Sequence, residues 1–147
     1  AGGLVIAVNP AGSLAAIRPD GAGDVTKSHV AWSVEESTPD VTSPVSDGEF
    51  VLAVTSSGNL AAFGVKDGKV VWQKGLELEV QSSPVIAGKQ LFILGKNGDL
   101  ISVAAGREFK ELGRTKFEDT FHASAAFADG RMILRGATNL WCLGRTK

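Results

Sequence analysis

The sequence predicts an all-β fold on three observations: an internal repeat of about 40 residues, short apolar runs bounded by turn residues, and no useful window that keeps a helical apolar period. Ser43-Pro44-Val45 recurs as Ser83-Pro84-Val85, 40 residues on, and a weaker copy, Ser124-Ala125-Ala126, follows 41 residues later. Each copy leads into a turn: Asp47-Gly48, Ala87-Gly88 or Asp129-Gly130. A β-rich run comes next, Phe50 to Val54, Leu91 to Leu94, or Met132 to Leu134. A second turn and an invariant leucine follow: Gly58-Asn59-Leu60, Gly98-Asp99-Leu100 and Thr138-Asn139-Leu140. Upstream, Leu4 to Val8 and Gly12-Ser13-Leu14 carry the same features. Trp72 stands 14 residues after Gly58, as Leu112 does after Gly98.

Each run is short, rich in Val, Ile, Leu and Phe, and bounded by Gly, Asn, Asp or Ser, which is how a strand is written. Ser-Gly-Asn and Asn-Gly-Asp supply residues that tolerate positive φ in hairpin turns. Four short antiparallel strands per roughly 40 residues is the pattern of a β-propeller blade. The expected architecture is therefore a partial β-propeller of about three to three and a half blades, in one domain spanning residues 1–147. Residues 3–36 form a unit without its innermost strand, 41–78 and 81–117 form complete blades, and 121–144 supply three strands. An isolated arc of blades leaves flat apolar faces uncovered. The chain is thus expected either to belong to a longer protein or to self-associate through its open blade faces.

Composition narrows the class. Hydrophobic residues make up 44% and charged residues 21% of the 147-residue chain, and its 18 Gly and 5 Pro suit many turns. A net charge of −1 disfavours nucleic acid and anionic membranes as partners. No apolar run is long enough for a membrane-spanning helix. Ala1-Gly2-Gly3 leads directly into the first apolar run with no basic segment, so no signal peptide is read. The single Cys142 leaves no internal disulfide.

Ala62, Gly64, Asp67, Gly68 and Trp72 fall on the pattern Ala-x-Asp-x-x-Thr-Gly-x-x-x-Trp, departing from it at Gly64 and Asp67. This chain resembles the bacterial quinoprotein-like, or PQQ-like, propeller repeat proteins that carry that pattern. The stretch Ala16 to Thr26, continuing to His29-Val30-Ala31-Trp32, is similar to one that precedes the last blades of large planctomycete propeller proteins. The resemblance covers nearly the whole chain and implies the C-terminal part of a longer propeller. It also implies a periplasmic or cell-envelope location. Relatives of this kind include quinone-dependent dehydrogenases, kinase-related proteins and kin of an outer-membrane assembly lipoprotein, so the repeat identifies fold rather than activity.

In the dehydrogenases of that group, the cofactor stacks on a Trp beneath a disulfide of adjacent cysteines, beside a calcium ion and an Asp base. With Cys142 alone, that disulfide cannot form within this chain. Trp32 and Trp72 occupy the repeat's structural Trp position, where an indole packs between blades, and Trp141 takes the place held by Ala61 and Ile101. Asp119 and His122 have metal-compatible spacing, but the other histidine, His29, lies 93 residues away from His122. His122 is expected to line the start of an inner strand or to pack beside Phe121. Ser43, Ser83 and Ser124 repeat with the blades, which predicts structural hydroxyls bonding backbone. Glu35, Glu36 and Asp40 read as a solvated acidic connection, and Asp24 after Gly21-Ala22-Gly23 argues against a phosphate loop. Cys142 is expected to be a small buried apolar residue. No catalytic, cofactor-binding or metal residue is assigned, and no cofactor. The expected function is a non-catalytic scaffold or binding module for a protein partner, within a larger exported bacterial protein. The alternative is a fragment of a PQQ-dependent dehydrogenase-like oxidoreductase.

Overall fold

The computed structural model describes residues 1–9 and 12–144. Their strands form four antiparallel sheets of three, four, four and three strands, with no helix among the described residues. The first sheet is β1 (Val5–Asn9), β2 (Ser13–Ile17) and β3 (Val30–Val34). The second is β4 (Val45–Ser46), β5 (Phe50–Val54), β6 (Asn59–Gly64) and β7 (Val70–Gly75). The third is β8 (Val85–Ala87), β9 (Gln90–Leu94), β10 (Asp99–Ala104) and β11 (Glu111–Lys116). The fourth is β12 (Ala126–Ala128), β13 (Arg131–Arg135) and β14 (Leu140–Gly144). Every sheet is a meander in chain order, as hairpins with two-sided turns dictate.

The sheets stack face to face, and each interface is one apolar layer. Leu14, Ala16 and Trp32 meet Val51, Ala53, Ala61 and Phe63 between the first and second sheets. Leu52, Val54, Leu60 and Ala62 meet Leu91, Ile93, Ile101 and Val103 between the second and third. Leu94, Leu100 and Phe117 meet Phe121, Met132 and Leu134 between the third and fourth. Because a middle sheet is covered on both faces, β5 is buried along its whole length and shows no alternation of apolar and polar residues. The outermost strand β11 is exposed throughout and reads accordingly as Glu-Leu-Gly-Arg-Thr-Lys.

The invariant leucine records which sheets have a neighbour. Leu14 and Leu60 are 0% exposed and Leu100 is 9% exposed, whereas Leu140, at the same place in the fourth sheet, is 72% exposed. The same geometry overturns the expectation for Cys142, which is exposed. It shares the open face of β14 with Leu140, where Ala16 and Ala62 of earlier sheets are covered by the next sheet.

The turn glycines are obligatory in two places. Gly58 and Gly98 have φ values of +82° and +96°, and a Cβ there would fall 2.1 Å from Leu78 O and 2.0 Å from Phe117 O. Each hairpin tip is thereby pressed onto the connection leaving its own sheet, and Gly58 O and Gly98 O accept from Leu76 N–H and Phe117 N–H at 2.9 Å.

Candidate functional site

The connections between sheets (residues 35–44, 76–84 and 117–125) and the β5–β6, β9–β10 and β13–β14 turns gather at one end of the stack. At this axial end several polar side chains are held by backbone groups or by one another. Asp40 accepts from the Ser56 backbone N–H at 2.7 Å and from its hydroxyl at 2.5 Å. These two bonds hold its carboxyl below the ordinary carboxylate range. Glu79 pairs with Lys96 at 2.9 Å, and that bond keeps its carboxyl low as well.

Gln81 links this pair to the next sheet. Its Nε2 donates to Glu79 Oε1 at 3.3 Å, while its Oε1 lies 2.5 Å from His122 Nδ1. Gln81 and His122 occupy the same place in successive repeats, two residues before Ser83 and Ser124, and Val41 holds that place before Ser43. Val41 is 61% exposed and His122 is exposed, so this row presents an apolar, an amide and an imidazole group around the axis. His122 lies at the entry to the inner strand, as its position suggests, and its ring is oriented by Gln81 rather than by Phe121.

Asp119 does a different job from His122. Its carboxylate accepts from the backbone N–H groups of Thr120, Thr138 and Asn139 at 2.9, 3.2 and 3.0 Å, and from the Asn139 amide and Trp141 indole at 3.2 Å. Desolvation opposes ionisation here, but these bonds prevail and hold the carboxyl well below the usual range. Asp119 therefore organises the β13–β14 turn, and its lone pairs are directed at that turn rather than at a shared centre with His122. Among the described residues no group of three His, Cys, Asp or Glu is placed to hold a metal ion.

The remaining sequence candidates are structural in their contacts. Ser43 N–H donates to Ser83 Oγ at 2.9 Å, and Ser83 N–H donates to Ser124 Oγ at 3.0 Å. The expected hydroxyl–backbone bonds therefore run between neighbouring sheets and form a ladder around the axis. The residues just before them reach back along their own sheet: Thr42 Oγ1 to Val54 O at 2.6 Å and Ser82 Oγ to Leu94 O at 2.7 Å. Trp32 Nε1 donates to Val65 O at 2.8 Å and Trp72 Nε1 to Gly106 O at 3.0 Å, each crossing to the following sheet. Trp141 packs edge-on to Phe117, with centroids 5.0 Å apart. Glu35, Glu36 and Asp40 are exposed on the first connection, and Asp24 caps Thr26 N–H in an exposed loop. Sequence spacing missed the Gln81–His122 contact, although the equivalence of the two positions in the repeat was there to be read.

The stacked antiparallel sheets, two of them joined to the following sheet by an indole hydrogen bond, can be set beside known proteins. Residues 1–146 match the sequence profile described as "Outer membrane protein assembly factor BamB". The chain belongs to this BamB-like family of PQQ repeats. No curated protein matches it significantly. Among solved structures, this BamB-like chain is similar to BamB from Moraxella catarrhalis, with a TM-score of 0.79 at 15% identity over 97% of this chain and 44% of that one. The quinohemoprotein alcohol dehydrogenase ADHIIG from Pseudomonas putida HK5 gives a TM-score of 0.71 at 12% identity, over 90% of this chain and 26% of that one. The computationally designed Ika4 protein gives 0.69 at 10% identity, over 97% of this chain and 85% of that one. At such identities the likeness establishes the fold, a β-propeller. The BamB-like chain spans less than half the length of BamB and about a quarter of the alcohol dehydrogenase.

Proposed function

We propose that this chain is part of a non-catalytic propeller scaffold, in a larger exported bacterial protein of the periplasm or cell envelope, that binds a protein partner through its axial end. The observation that carries this reading is how the axial polar groups are used. Asp40, Asp119 and the serine ladder are engaged with backbone, which rigidifies the connections, while Val41, Glu35, Glu36, Glu77 and His122 remain exposed on that rigid frame. Loops held on a rigid scaffold are where binding surfaces are built. Family membership supports the same reading, since the matching profile is named for an assembly factor of outer membrane proteins. No helix among the described residues is long and apolar enough to cross a membrane.

The open faces give a second element of the reading, association with another copy. The face of the first sheet carries Val5, Ala7, Ala15 and Ile17 at the places where the second sheet carries Val51, Ala53, Ala61 and Phe63. Those four residues of the second sheet are buried against the first. The open face of one copy, centred on Leu140, can meet the Val5–Ile17 face of another in the same way.

The test places a photo-crosslinking residue at Val41 or Glu77 on the axial end and at Lys89 on the opposite end, and expresses the parent protein in its native cell. One discrete protein adduct from Val41 and Glu77, but not from Lys89, is the expected result. No adduct, together with a spectral change when pyrroloquinoline quinone and calcium are added and with quinone-dependent dye reduction, would replace the scaffold by the dehydrogenase reading.

A further inference from the structure

We infer that a pocket at the end of the stack opposite the axial row binds a small monocarboxylate with an apolar or aromatic body, the carboxylate held by Lys66 and Arg107 and the body lying on Phe50, Val65 and Val71. The site is separate from the axial row and does not depend on the partner proposed there.

The pocket has a volume of about 550 Å³. That falls within the roughly 300–1,000 Å³ of small-molecule sites. Its walls are the β4–β5 and β6–β7 turns of the second sheet, with Arg107 of the third sheet on one side and Gly2 on another. The two turns are tied together by the Val65 N–H, which donates to Glu49 O at 3.1 Å, so the concavity is formed before any ligand arrives. Gly48 and Gly64 line it without side chains, which leaves their backbone open to a close approach.

The apolar floor is not something a blade requires. In the third sheet the same turn-to-turn bond runs from Ala105 N–H to Lys89 O at 3.0 Å, so Lys89, Gln90 and Ala105 stand where the second sheet has Glu49, Phe50 and Val65. A repeat that accepts Gln90 and Ala105 has no need of Phe50 and Val65 at those places. Beside them Val71 is 40% exposed and gives the floor its open apolar surface.

The rim supplies the charge. Arg107 Nη2 donates to Glu49 Oε1 at 2.5 Å, and the guanidinium lies 5.7 Å from the centroid of the Phe50 ring. Those two contacts orient the guanidinium over the floor, and its remaining nitrogens make no bond among the described residues. Lys69 Nζ lies 3.8 Å from Asp67 Oδ2. Lys66 lines the same pocket and has no ion pair among the described residues. Three cations thus face two carboxylates, and one positive charge is left over. A single carboxylate matches that surplus and suits the free donors of Arg107. A dianion would meet repulsion from Glu49 and Asp67, and a neutral ligand would leave the surplus unanswered. The apolar floor selects the rest of the molecule.

The experiment titrates the whole chain with 3-phenylpropionate and, separately, with its neutral amide, and follows backbone amide signals by NMR. Saturable shifts at Gly48, Gly64 and Lys66, with none at Gln81 or His122, are expected. The amide should bind about tenfold more weakly, the value of one charge-assisted contact. Lys66→Gln should weaken the acid about three- to fivefold, as for a solvent-exposed ion pair, and leave the amide unchanged. Val71→Glu should abolish binding of the acid by placing a like charge on the floor. Lys66 and Val71 are exposed, so both variants keep the circular dichroism of the parent. The inference is overturned if the acid does not saturate by about 10 mM, the weak end for so small a ligand. It is also overturned if the amide binds as well as the acid, if the shifts fall outside the pocket, or if Lys66→Gln changes nothing.

Discussion

The indole of Trp32 lies flat on Gly68 of the following sheet, so closely that a Cβ on Gly68 would fall 2.6 Å from Trp32 Cε3. Gly68 has a φ of +67°, which an L side chain rarely adopts, and the Trp32 N–H reaches past it to Val65 O. The pair of residues thus joins two sheets by stacking, by a hydrogen bond and by a backbone shape that only glycine takes easily. Trp72 repeats the hydrogen bond to Gly106 and adds an edge-on contact to Phe109 at 5.7 Å.

Trp32→Ala should cost about 3–5 kcal/mol, the range for removing a large buried aromatic. Trp32→Phe should cost less, since it keeps most of the packing and loses the hydrogen bond. Gly68→Ala should also destabilise, by about 1–3 kcal/mol, from strain and from the displaced indole. Urea unfolding followed by the remaining Trp fluorescence measures all three. A Gly68→Ala protein as stable as the parent would show that the indole can move away at no cost.

Acid should weaken the axial end before it weakens the stacked core. Asp119 and Asp40 both have carboxyls held below their ordinary values by hydrogen bonds made only in the folded chain. A depressed carboxyl stabilises the fold fully above its unfolded pKa, about 3.9, and the contribution is lost as pH falls through the folded value. The urea midpoint should therefore be flat from neutral pH to about 5 and fall below about 4. Asp119→Asn should lower the neutral-pH midpoint and flatten the acid slope, because the amide cannot accept all of the turn's N–H groups. An unchanged slope in that variant would assign the acid sensitivity elsewhere.

Leu140 should control association between copies. Its side chain is 72% exposed where Leu14 and Leu60 are fully covered, so burial against a second copy recovers the contact that the repeat normally makes. Light scattering should show mass rising with concentration, and Leu140→Glu should hold the chain as a monomer with the same circular dichroism. A parent chain that stays monomeric at high concentration would remove the self-association reading.

The sheets were legible because their information is local. The recurrence of Ser43, Ser83 and Ser124, the Gly58 and Gly98 turns and the Leu60 and Leu100 positions specify strand, turn and strand within a few residues of one another. The structural role of Trp32 and Trp72 was legible for the same reason, as it repeats with the blade. The axial contacts were not. Asp119 and His122 sit at a spacing that suits a metal, yet each is claimed by a partner that arrives from elsewhere, the 138–139 turn for one and Gln81 for the other. Cys142 misled because its burial depends on a neighbouring sheet and not on its own strand.

From its order of residues alone this protein is committed to four meandering sheets, since short apolar runs, turn chemistry and a forty-residue rhythm act through neighbours along the chain. Only the stacking of those sheets decided which hydroxyl bonds which backbone and which leucines are covered. Those outcomes depend on contacts between residues some forty positions apart, whose partners are chosen by the surface each sheet turns toward the next.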